Sequence, residues 1–228
     1  MYSNTSEQDR IYITLTLVIQ AAVAIGLIVF VLRHDWENTF LTVLVLGLTL
    51  VPAFLFRRHR VYIPPEFQFV AASFVFLSLF LGSAAGLYYY FWWWDILLHT
   101  GSGFLLGIIG FLALFLLNQT ERIPAGIRPA FLCFFGVTFA VFLGVLWEIF
   151  EFAIDVLVPG QNMQSRETGV GDTMLDLIVD TLGAVIVGLM AWVYTRTGRY
   201  SFIADGVRKF IRKNPNLFRK EEESTKDE

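Results

Sequence analysis

Of 228 residues, 56% are hydrophobic and 16% charged, with a formal net charge of -3. So few charges leave a chain of this length short of the polar surface that a water-soluble globule needs. The lone cysteine, Cys133, excludes an internal disulfide, and with no paired Cys and His spacing it excludes a structural zinc site as well. The apolar residues lie in long blocks rather than in the short alternating segments of an outer-membrane barrel. The expected fold class is therefore all-α, a polytopic transmembrane helical bundle.

Six apolar blocks are long enough to cross a bilayer of about 30 Å: residues 11–32, 38–56, 67–87, 96–117, 130–157 and 173–195. The first has no basic leader, and Leu32-Arg33-His34 is no small-residue cleavage site, so it is read as a span rather than a removed signal. The stretch 67–117 is too long for one crossing. Gly82, Gly86 and the aromatic run 88–94 break it where an interfacial belt would lie. Residues 1–10 form an N-terminal segment, 11–195 the membrane domain and 196–228 a tail. In the tail, Ile203, Val207, Phe210 and Ile211 recur at helical spacing beside Arg208, Lys209, Arg212 and Lys213. That pattern suits a basic helix on an anionic membrane surface, or equally a solvated basic helix. The charged run 220–228 is expected to be disordered.

Orientation follows from the basic residues between the spans, which are retained in the cytoplasm. Of the 17 Lys and Arg, only Arg33 and Arg166 fall on one side. Arg10, Arg57, Arg58, Arg60, Arg122, Arg128 and all those of the tail fall on the other. Both termini are expected in the cytoplasm, with the protein a multi-pass component of the cell (inner) membrane. Membrane lipids are the expected partners, nothing points to nucleic acid, and the oligomeric state is left open.

With orientation fixed, the ionisable residues fall into three stripes at the extracytoplasmic ends of the last three spans. Asp95 and His99 are four apart. Glu148, Glu151 and Asp155 stand at i, i+3 and i+7. Asp172, Asp176 and Asp180 stand at i, i+4 and i+8, a stripe about 12 Å long. Asp95 and Asp172 also suit the positive ends of their helices, and Asp155 lies near the headgroup layer, where a carboxylate costs little. Glu148 and Asp180 lie two turns or more inside apolar blocks, where a charge is expensive unless paired, protonated or metal-bound. Several carboxylates in one low-dielectric pocket repel one another, and a divalent cation resolves the conflict. The candidate ligands are Asp95, His99, Glu148, Glu151, Asp172, Asp176 and Asp180. Oxygen ligands suit Mg, Mn or Ca, and His99 admits Zn or Fe. A ferritin-like di-iron site is excluded, because the Glu-x-x-His pairs it needs are missing.

The runs Trp94-Asp95-Ile96-Leu97-Leu98-His99 and Trp147-Glu148-Ile149-Phe150-Glu151, with the stripe running from Gly171 through Asp180 to Ala184, resemble the YjdF-type inner-membrane proteins. They are more distantly similar to the VanZ-like group. The resemblance covers mainly the last four spans and implies a small polytopic membrane protein without naming a reaction.

Three functions compete. The first is a metal-dependent enzyme, a hydrolase or group transferase, acting on a lipid or lipid-linked substrate. In it His99, Glu148 and Asp180 carry the chemistry, and Arg166, Trp94 and Trp147 contact substrate. The second is a proton- or cation-coupled transporter, and the third a structural or sensory protein with a stabilising ion site. A relay needs polar residues that continue toward the cytoplasm, yet 104–117, 130–143 and 185–193 are nearly all apolar, which favours a closed pocket.

Overall fold

The computed structural model describes residues 6–119, 127–157, 163, 169–197 and 202–215. Among them, every regular element is helical, and six helices are long and apolar enough to cross a membrane: Glu7–Leu32, Trp36–His59, Pro65–Ala84, Trp93–Phe115, Pro129–Leu157 and Val170–Val193. The chain divides into two compact units, Met1–Trp94 with Phe202–Leu217, and Asp95–Ser201 with Phe218–Glu228. The charged run 220–228 lies outside the described residues.

In the first unit, α1 (Glu7–Leu32) starts one turn before its apolar block because the Ser6 hydroxyl accepts the Asp9 backbone N–H at 3.2 Å. Asp35 does the same for α2 (Trp36–His59), accepting the N–H of Asn38 at 3.2 Å. The two helices are joined by a polar contact inside their apolar stretch, where Gln20 Nε2 donates to the Thr49 carbonyl at 3.1 Å. That carbonyl lies one turn before Pro52, on the stretch of α2 where the missing proline N–H disturbs the helical ladder. Replacing Gln20 by leucine is expected to lower stability by about 0.6–1.7 kcal/mol, the range of interhelical hydrogen bonds in membranes. Thermal unfolding in detergent checks it, and an unchanged midpoint would mean that the contact is idle.

Helix α3 (Pro65–Val75) begins on a proline pair and runs directly into a π-helical stretch, Phe76–Ala84. The Ala85 N–H reaches back five residues to the Phe80 carbonyl at 2.8 Å. Gly82 lies under the Tyr88 ring, which leaves no room for a Cβ, and Gly86, in the left-handed region at φ 78°, turns the chain into the short α4 (Leu87–Tyr90). The glycine-and-aromatic break legible in the sequence falls here.

The tail helix, labelled α8 (Phe202–Lys213) for its place in the chain, packs against the same end of the first unit where α1 and α3 begin. Gly206 abuts the Phe67 ring, and Lys209 Nζ bonds Asp9 and, at 3.0 Å, Glu66. Asn214 accepts the Tyr62 N–H at 2.7 Å and donates to the Tyr62 carbonyl at 2.8 Å. Burial alone would lower the Lys209 pKa, but its bonds to Asp9 and Glu66 outweigh burial and hold it above the ordinary lysine value. The lysine's contribution is thus present below its ordinary pKa and is lost only as pH rises through the raised one.

The second unit contains α5 (Trp93–Gln119) from Asp95 onward, α6 (Pro129–Leu157) and α7 (Val170–Thr197). At one end Phe111, Leu114, Leu132, Cys133 and Ala191 form an apolar core. At the other lie the acidic stripes.

Candidate metal centre

The second unit's helices approach closely through glycine. A Cβ on Gly103 of α5 would overlap the Asp180 carbonyl of α7, and a Cβ on Gly183 of α7 would overlap the Thr100 carbonyl of α5. On α6, a Cβ on Gly144 would come within 2.8 Å of Asp180 Oδ2. Glycines from all three helices thus crowd around one turn of α7 and hold Asp180 against α5 and α6.

His99 stands at the centre of what this packing assembles. Its Nε2 is 3.6 Å from Asp95 Oδ1, and its Nδ1 is 3.3 Å from Asp180 Oδ2 and 4.0 Å from Glu148 Oε1. His99, Glu148, Asp176 and Asp180 are each at most 7% exposed. Asp95, His99 and Asp176 bring ligand atoms within 4.8 Å of one another, and so do His99, Glu148 and Glu151. The imidazole is common to both groups. Trp147 donates its indole N–H to Glu151 Oε1 at 2.9 Å, which holds one carboxylate of the second group.

Asp180 and Asp172 fall outside both groups. Asp180 is engaged instead with His99 and with the Ser102 hydroxyl, which bonds its Oδ1. The same hydroxyl lies 2.8 Å from the His99 carbonyl, so one proton faces two acceptors. With the His99 proton on Nδ1, donated to Asp180, the Nε2 lone pair faces the side of Asp95. This carboxylate–histidine pairing orients metal-binding histidines. Asp172 is half-buried one turn above Asp176. Asp155, outside both groups, accepts the Met163 N–H at 2.7 Å. Trp94 belongs to the first unit, where its indole bonds the Leu77 carbonyl at 3.3 Å. Arg166 lies outside the described residues.

Ser102 is the neighbour of the cluster that sequence reasoning missed. Its signal was its position, since 95, 99 and 102 stand at i, i+4 and i+7 of one helix face. Five carboxyls, those of Asp95, Glu148, Glu151, Asp176 and Asp180, surround or approach the one imidazole. The described cations of this unit, Arg128 and Arg196, lie beside the start of α6 and at the end of α7, at the opposite end of the helices.

Residues 14–197, a stretch containing both the cluster and the glycines that pack it, match the family model described as "Predicted membrane protein (DUF2238)". A protein of Thermotoga maritima, described as an uncharacterized protein, is 33% identical over 142 residues, covering 60% of this chain and 67% of the relative. No solved structure matches the chain. With six apolar helices and a match extending across them, the chain is a multi-pass membrane protein and belongs to the DUF2238 family of predicted membrane proteins.

Proposed function

We propose that the second unit is a metal-dependent membrane enzyme, a hydrolase or group transferase acting on a lipid or lipid-linked substrate. The observation that carries this reading is the pair of ligand groups converging on His99, with ligand atoms within 4.8 Å. Buried carboxylates around a single imidazole call for a cation, and among the described residues of the unit no lysine or arginine lies near enough to serve. The ion is divalent: Mg, Mn or Ca by the oxygen ligands, Zn by the participation of His99. Bound there, it would polarise a phosphoryl or carbonyl oxygen, or activate water, at bilayer depth. Asp180 positions His99, Ser102 supports Asp180, and Trp147 positions Glu151. The apolar core at the far end favours a closed pocket over a continuous proton path.

The test is elemental analysis of the detergent-purified protein after incubation with Mg, Mn, Ca and Zn. About one ion per chain or more is expected, followed by turnover of a phospholipid or polyprenyl-phosphate probe. A protein that retains no metal under any of these conditions would remove the reading.

The YjdF-type likeness of the three motifs sits within the family match, and the more distant VanZ-like likeness rests on those motifs alone. We further assign the protein to the inner membrane with both termini cytoplasmic. Supporting this are the distribution of basic residues, the even number of spans, and the placement of α8 beside the first turn of α1. In a Cys133→Ser background, single cysteines at Arg10 and Lys213 are expected to resist a membrane-impermeant maleimide in intact cells, whereas one at Trp36 reacts. The reverse pattern would invert the topology.

A further inference from the structure

The clamp that holds α8 also sorts the basic residues of that end of the first unit. Lys209 turns inward to Asp9 and Glu66, on the helix face that carries Gly206 and Asn214. Arg208 and Arg212, two and six residues on from Gly206, project from the opposite face, and both are exposed, as is Lys213. The two hydrogen bonds between Asn214 and the Tyr62 backbone bring the end of α8 to the segment that closes α2. There Arg57, Arg58 and Arg60 are exposed, with Arg60 in the left-handed region at φ 57°. Asp9 and Glu66 at this end are engaged by Lys209, and Glu7 is exposed.

These cations also lie at a defined depth. Arg57, Arg58 and Arg60 follow directly on the apolar stretch of α2, and α8 is bonded to the first turns of α1 and α3, where two further apolar stretches begin. Helix ends at that level lie among lipid headgroups. We propose that α8, clamped by Lys209 and Asn214, forms with the Arg57–Arg60 segment one surface that binds the headgroups of anionic phospholipids. The clamp neutralises the lysine that would otherwise face inward unpaired, and it holds Arg208, Arg212 and Lys213 in place beside the arginines of α2. Each basic residue near an anionic surface contributes about a fivefold gain in affinity, so removing three costs about a hundredfold.

The experiment titrates phosphatidylglycerol into the detergent-purified full chain and counts bound lipid by native mass spectrometry. Phosphatidylcholine and inorganic phosphate serve as parallel probes. The wild type is expected to bind phosphatidylglycerol in preference to phosphatidylcholine, with affinity falling as salt rises. The R208Q/R212Q/K213Q variant is expected to lose about a hundredfold of that affinity. R57Q/R58Q, which leaves α8 untouched, should lose on the order of twentyfold. Circular dichroism identifies any variant that fails to fold, in which case the other decides. Unchanged affinity in the folded variants would overturn the proposal. So would equal binding of phosphatidylcholine, or competition by inorganic phosphate at matching concentration, which would indicate a discrete phosphate site.

Discussion

Replacing His99 by alanine is expected to abolish metal retention, because the imidazole is the one ligand shared by both candidate groups. The loss should exceed the ten- to hundredfold that removal of an outer partner typically costs, or about 1.4–2.7 kcal/mol of binding. Two further variants locate the ion. Asp95→Ala removes a ligand only from the group that includes Asp176, and Glu151→Ala only from the group that includes Glu148. Metal lost in the first and kept in the second places the ion on the Nε2 side of His99, the side that the Asp180 pairing leaves with a lone pair. The converse places it among the glutamates. Asp180→Asn and Ser102→Ala should each weaken binding by about ten- to hundredfold without abolishing it, as expected of groups that orient a ligand. Isothermal titration with the metal retained by the wild type measures all five. Full retention by a folded His99→Ala protein would sink the metal site altogether.

The six spans were legible because a bilayer imposes a length and an apolar composition that nothing else in the chain imitates, and the break after span three was legible from Gly82 and Gly86. Helix ends were less so. Ser6 and Asp35 extend α1 and α2 beyond their apolar blocks through caps, which are a local hydrogen-bond property that hydropathy ignores. The π-helical stretch at 76–84 left no trace in composition, since it alters hydrogen-bond register rather than residue type. Within the site, helical periodicity alone placed Asp95, His99, Glu148, Glu151, Asp176 and Asp180 on converging faces. It could not distinguish candidate ligands from supports. Asp180 follows the same stripe as Asp176, yet it meets His99 and Ser102 because Gly103 and Gly144 let α7 close on α5 and α6 at that turn, a tertiary fact. The tail's amphipathic spacing falls on α8. That its inward face would carry a lysine paired with Asp9 and Glu66 depends on residues about 200 and 143 positions away.

Alanine at Gly183 or Gly103 should damage the second unit more than any loss of a surface charge. Most overpacked core sites relax by moving a flexible side chain, at a cost of about 1–3 kcal/mol. Here the obstacle is the backbone. The added methyl at Gly183 meets the Thr100 carbonyl and the Phe104 N–H, and the one at Gly103 meets the Asp180 carbonyl, so α5 and α7 must separate along their contact. A cost of at least about 3 kcal/mol is expected for each. Because Asp180 lies on that contact, metal affinity should fall with stability even though no ligand is changed. Gly47→Ala supplies the control. A Cβ there has no atom within 4 Å, and alanine's helix preference should leave stability unchanged or raise it by up to about 1 kcal/mol. Unfolding in a mild detergent, followed by circular dichroism, should order the proteins as Gly47→Ala at or above wild type, with Gly103→Ala and Gly183→Ala well below. A Gly183→Ala protein as stable as the wild type would mean that α5 and α7 do not meet at this glycine. The placement of Asp180 beside His99, and with it the Nδ1–H tautomer that leaves Nε2 a lone pair, would then fail with that contact.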